Sequence, residues 1–198
     1  MDKRQFLAGA AVLGAAATPA FASKRAGNVA CAASPVILTI AGTIKRSNRG
    51  ALDPAFDPLL AKHQVKFSQA YGVDFSLIAS MPVVTIKPII EYDARPHTLS
   101  GPLLTDVLEH VGAPAAGSTQ IVMRAVDGYA VSTTLDKVHD YRMIVATHMD
   151  GKPLPLGGLG PLWAVYDPDH IPELAGKPLK DRFVLSPWGL YQMQVTEA

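Results

Sequence analysis

The 198-residue sequence predicts an α+β domain, mostly antiparallel or mixed β with a few short helices. Three observations carry that prediction. Short β-branched runs recur along the chain between turn residues. The 16 glycines and 16 prolines are spread rather than clustered, which belongs to a loop-rich β domain without repeats or low-complexity segments. One segment alone has a clear helical period.

In order, Val36-Ile37-Leu38-Thr39-Ile40 reads as a first strand that ends at Ala41-Gly42, followed by a polar, basic stretch to Gly50. Asp53-Pro54 and Asp57-Pro58 mark a loop, because the residue before proline is pushed away from helical geometry. Val65 to Ser68 alternates as a half-buried strand does, and Phe75 to Ser80 has room for little more than one helical turn. Val83 to Ile86 is a strong strand signal closed by Lys87-Pro88, and Ile89-Ile90 resumes it. Leu103, Leu104, Val107, Leu108 and Val111 form one apolar helical face, stopped by Gly112. Gln120–Val126 and Tyr129–Thr133 flank Asp127-Gly128, a two-residue hairpin signal. Met143 to Thr147 reads as a further strand before a second tight turn at Asp150-Gly151, and Leu162–Tyr166 and Leu190–Val195 complete the strands.

Composition narrows the function. With 48% hydrophobic residues the chain can bury one sizeable core. The net charge of +1 and the lack of a basic stripe interleaved with aromatics argue against nucleic acid as a partner. A single cysteine, Cys31, rules out an internal disulfide, and no Cys/His cluster has zinc-like spacing.

The N-terminus reads as an address. Lys3 and Arg4 precede the apolar run Phe6–Ala17, and Ala20-Phe21-Ala22 fits a cleavage site, so residues 1–22 are expected to be a signal peptide and the mature protein to be periplasmic or secreted. A retained anchor is the alternative, although the run falls short of a confident span. Lys3-Arg4-Gln5-Phe6-Leu7 resembles a twin-arginine signal with lysine in the first place; an ordinary secretory signal fits as well. Residues 23–34 read as a flexible leader that contains Cys31, and residues 35–198 as a single domain. Asn28 stands where a lipid-acceptor cysteine would want a bulky aliphatic residue.

The succession Leu99-x-Gly101, the helical face to Gly112, Asp127-Gly128-Tyr129, Asp150-Gly151-Lys152-Pro153-Leu154-Pro155, Gly160-Pro161-Leu162 and a late Trp188 resembles the molybdopterin-binding domain of sulfite oxidase and its small bacterial relatives. The resemblance covers roughly the last 100 residues, and it lies in order and spacing rather than in any one motif. It implies a sulfite-oxidase-like fold, molybdopterin (the molybdenum cofactor) as cofactor, an oxo-transfer or electron-transfer role on a small-molecule or anionic substrate, and a periplasmic or membrane redox partner.

The resemblance also implies a cysteine ligand to molybdenum on a strand upstream of Leu99–Gly101. Here Met81 to Tyr92 contains none, and Thr85 is the nearest polar stand-in. A hydroxyl stays protonated near neutral pH and is a harder, weaker donor than a thiolate. Tyr129 is the candidate catalytic residue, a phenol able to reach a metal-oxo group or an anion; the plainer alternative is a strand tyrosine held by a backbone carbonyl. Arg95 and His97, in the loop before Gly101, are candidates for a cofactor phosphate, against a solvated loop. Asp127 and Gly128 are carried over as cofactor-binding positions, although the turn itself explains both. Leu162-Trp163 stands where the resemblance implies an arginine, which counts against sulfite as substrate.

No metal-ligand set is assigned, because Pro168 splits Asp167 from Asp169 and His170 in what reads as a surface turn. No nucleophile elbow or phosphate loop is present. The second reading is a non-catalytic periplasmic module that retains the fold and binds a ligand or partner in the old pocket.

Overall fold

Alternation becomes burial in the computed structural model, which describes residues 34–197. The expected signal peptide 1–22 and Cys31 in the expected leader lie outside the described residues. A five-stranded sheet has the order β2-β1-β11-β5-β6, built from β1 (Val36–Gly42), β2 (Ala70–Asp74), β5 (Gln120–Ala125), β6 (Ala130–Thr134) and β11 (Leu190–Thr196). Within this sheet β1 and β11 pair in parallel and the other described pairs are antiparallel, which sets the last strand beside the first. A four-stranded antiparallel sheet joins β3 (Val84–Ile86), β4 (Leu99–Gly101), β8 (His148–Met149) and β9 (Lys152–Pro153). The mixed, mainly antiparallel α+β prediction agrees with this architecture.

Between the sheets runs a two-stranded ladder of β7 (Ile144–Ala146) and β10 (Trp163–Val165), buried on both faces. Because side chains alternate across a strand, the ladder divides the interior in two. Val145 and Ala164 face a first core with Leu38, Ile40, Met123 and Met193, which the apolar stripe of helix α3 (Leu104–His110) closes. Ile144, Ala146, Trp163 and Val165 face a second core with Ile90, Leu99, Leu154 and Phe183. The helix predicted from Leu103 to Val111 is therefore present, with Leu104, Val107 and Leu108 buried as its period requires.

Several local predictions are corrected. The strand expected at Val65–Ser68 lies instead at Ala70–Asp74, where β1 offers an edge. Asn48 closes on that strand, its amide donating to the Gly72 carbonyl and accepting from the Gly72 N–H. Asp57-Pro58 opens a short helix, α1 (Pro58–Lys62), since proline is well placed in a first helical turn. A helix without a sequence signal, α4 (Leu135–Asp140), begins where the Thr134 hydroxyl accepts from the Lys137 N–H. The Asp127-Gly128 turn is longer than two residues. Gly128 N–H returns to Ala125 O, Ala125 N–H reaches Tyr129 O, and Gly128 has φ +96°, a type I turn followed by a left-handed residue. Asp150-Gly151 is the two-residue turn, joining Met149 to Lys152.

Among the described residues no helix is long and apolar enough to cross a membrane. Gly101 is required by a close approach, because a Cβ there would lie on the Val145 carbonyl oxygen. Gly101→Ala is expected to force β4 off the central ladder and cost about 2 kcal/mol, the usual scale of overpacking, read as a lowered urea midpoint. An unchanged midpoint would show that β4 does not bear on β7.

Candidate functional site

Three chain segments enclose a cavity of about 270 Å³ beside Tyr129: the loop 87–97, the β5–β6 hairpin, and the segment 180–188. The loop contributes Glu91 and Tyr92, the hairpin Asp127 and Tyr129, and the third segment Lys180, Phe183, Val184, Ser186 and Trp188.

Each wall has its own support. The third segment is fastened to β10: the Trp163 indole N–H donates to Ser186 O at 3.1 Å, the Ser186 hydroxyl donates to Ala164 O at 2.7 Å, and Trp188 bridges Trp163. The hairpin is docked by Val126 N–H on Gly189 O, and by the Tyr129 hydroxyl, which donates to Val184 O at 2.8 Å. The loop folds on itself through Ile90 N–H to Arg95 O and inserts Ile90 into the second core. It is tied outward by Asp169, which accepts from the Ile89 N–H and, with its other oxygen, from Arg182.

Tyr92 and Tyr129 remain 52% and 47% exposed, so two large rings face solvent at the cavity mouth. The Tyr92 phenol is pushed up to about 12, first by burial, then by the charge and hydrogen bonding of Glu91, and less by the charge of Asp127.

Of the six candidate residues, only Asp127 and Tyr129 line this cavity. Asp127 accepts from the Tyr129 N–H at 2.9 Å, which shapes the turn that Gly128 completes. His97 sits between two carboxylates, its Nδ1 2.6 Å from Asp150 and its Nε2 2.9 Å from Asp93. Arg95 is exposed and its backbone N–H donates to Asp93. Thr85 is exposed on β3, paired with Ser100. Near that strand a second cavity, of about 290 Å³, is lined by Val83, Ser100, Gly101, Thr147 and His148 among others, and Thr147 Oγ1 lies 2.8 Å from His148 Nδ1.

Sequence reasoning passed over Glu91, Tyr92 and Lys180 as site residues. No local pattern marks them, since they reach the cavity through tertiary docking of two loops. Trp188 is different: its place in the series of landmarks was a usable signal.

Residues 96–166 match the family model described as the oxidoreductase molybdopterin binding domain. That match ends at Tyr166, short of the resemblance traced to Trp188. The fold is similar to the crystal structure of the sulfane dehydrogenase SoxCD from Paracoccus pantotrophus, with a TM-score of 0.52 and 13% identity over 81% of this chain. The similarity covers 38% of that chain, so this protein spans well under half of it. No curated protein matches the sequence.

The His97 arrangement has a pH signature. Hydrogen bonds to Asp150 and then Asp93 raise His97 above the ordinary histidine value, so its stabilisation is complete at lower pH and is lost as pH rises through the raised value. Asp93 is lowered chiefly by His97, and Asp150 chiefly by the Thr98 N–H and then His97, so their contribution is lost only in strong acid, as pH falls through the lowered values. The urea midpoint of the wild type is expected to fall more than that of His97→Gln between about pH 6 and about pH 9. Parallel profiles for the two proteins would show that the imidazolium does not hold this loop.

Proposed function

We propose that this chain, whose residues 96–166 match the oxidoreductase molybdopterin binding domain model, is an exported module that keeps the fold and binds a small ligand at the cavity beside Tyr129, without a protein thiolate on molybdenum. The donor chemistry of the two cavities carries this reading.

A thiolate-held molybdopterin asks for a sulfur donor and for cations or N–H groups to meet its phosphate. The strand upstream of Leu99–Gly101 is β3, and it supplies the exposed hydroxyl of Thr85. The neighbouring cavity offers hydroxyl and imidazole groups, and the cavity beside Tyr129 sets the carboxylates Glu91 and Asp127 against the single cation Lys180. Among the described residues no group of three His, Cys, Asp or Glu side chains is arranged to hold a metal ion. Both volumes fall just below the roughly 300–1,000 Å³ usual for cofactor and drug-sized pockets. These residues do not fit a thiolate-ligated molybdenum cofactor.

Export to the periplasm is supported by residues 1–22: basic residues, an apolar run and a small-residue cleavage pattern. A second reading, oxo transfer or electron transfer with molybdopterin held by other donors, is favoured by the family match and by Arg95, whose guanidinium makes no hydrogen bond or ion pair among the described residues. In that reading a small anionic substrate and a periplasmic or membrane redox partner complete the reaction.

Elemental analysis and pterin fluorescence after oxidation, on protein purified from its exporting host, separate the two. The binding reading predicts folded protein with molybdenum far below one atom per chain and no fluorescent pterin. Stoichiometric molybdenum with a pterin product would contradict it and support the redox reading.

A further inference from the structure

The cavity beside Tyr129 combines two features that point to the same ligand chemistry. Four of its lining residues are aromatic: the exposed Tyr92 and Tyr129, the partly buried Trp188 and the buried Phe183. The rings of Tyr92 and Tyr129 stay half in water, although that of Tyr92 lies 6.5 Å from Trp163 of the second core. An aromatic face carries negative quadrupole charge and attracts cations.

The charges agree with the rings. Glu91 lines the cavity from the loop and Asp127 from the hairpin, and neither forms an ion pair among the described residues. Both line the same cavity as Tyr92. Lys180, the single cationic lining residue, is exposed at the rim and forms an ion pair with neither. An anionic ligand would meet two unneutralised carboxylates. A hard metal ion would find too few oxygen ligands, since such ions want six or more. A soft organic cation meets both demands: its charge is answered by the carboxylates, and its weakly hydrated methyl surface by the rings.

We infer that Tyr92, Tyr129 and Trp188 form an aromatic cage for a small organic cation, a tertiary or quaternary ammonium group, with Glu91 and Asp127 as its counter-charge. The volume of about 270 Å³ admits a compact ammonium compound and excludes a large one. The Tyr129 hydroxyl, anchored on Val184 O, holds its ring at the cavity before the ligand arrives. This inference rests on the binding reading above in taking the cavity as the ligand site, and it adds the class of ligand.

Calorimetric titration of the full chain with choline chloride tests it, with the neutral isostere that carries carbon in place of the ammonium nitrogen as control. Choline is expected to bind at least about tenfold more tightly than the isostere. Glu91→Gln and Tyr92→Leu are each expected to weaken choline by several-fold to about tenfold with the fold retained by circular dichroism, and Lys180→Gln to tighten it. Glu91→Gln changes no packing volume and keeps the test decisive if Tyr92→Leu does not fold. Equal affinity for choline and its isostere, no choline binding by folded protein, or unchanged affinity in Glu91→Gln would overturn the cage. Its failure is distinct from that of the binding reading: metal-free protein that ignores choline loses the cage alone, and molybdenum-loaded protein that still binds choline loses the reading above alone.

Discussion

The ladder of β7 and β10 has no solvent face, and the rest of the domain is arranged around that constraint. A strand buried on both sides must satisfy two packing problems with one sequence. Ile144-Val145-Ala146 and Trp163-Ala164-Val165 do so by alternating sides, the larger residues of β10 turned toward the second core. Nothing larger than glycine fits at residue 101, where β4 crosses the Val145 carbonyl. The 183–188 segment then continues the ladder outward through Ala164 N–H to Pro187 O and the two bonds at Ser186. Burial of an indole the size of Trp163 is worth a few kcal/mol, about 3–5 by the usual truncation to alanine, which is much of a domain's net stability. The cavity floor is thus an extension of the core.

The rim is held differently. Arg182 with Asp169, Asp169 with the Ile89 N–H, and His97 with Asp93 and Asp150 are partly exposed polar contacts, each weak beside the burial below them. They position the loop that brings Glu91 and Tyr92 to the opening. A firm floor with an electrostatically pinned rim suits a pocket that recognises charge, because small rim changes alter the field without disturbing the fold. Function resides in such cavities rather than in the architecture that carries them.

Where local physics decided the outcome, the sequence was readable. The β-branched runs at Val36–Ile40 and Val83–Ile86 became β1 and β3, the first buried on both faces, the alternation of Gln120–Ala125 became β5, and the period from Leu103 to Val111 became α3, because each pattern has one solution against a core. Turn length at Asp127-Gly128 was not readable, since Gly128 serves a left-handed position after a type I turn as well as it serves a two-residue turn. Helix α4 escaped because its single buried residue, Val138, leaves no apolar stripe to detect. The site was legible on the hairpin and at the landmark Trp188. His97 meets carboxylates four and fifty-three residues away, and Glu91 and Tyr92 meet Trp188 only once two loops are docked, so no window of sequence contains either set.

The central claim is that the cavity is preformed because its floor belongs to the buried ladder. Native-state hydrogen exchange at the Trp163 indole N–H, which donates to Ser186 O, tests it most directly. The account predicts exchange only through global unfolding, with a protection free energy equal to that of the most protected β7 and β10 amides and a steep dependence on denaturant. Exchange of that proton through a low-energy, denaturant-independent opening, while the β7 and β10 amides stay protected, would contradict it.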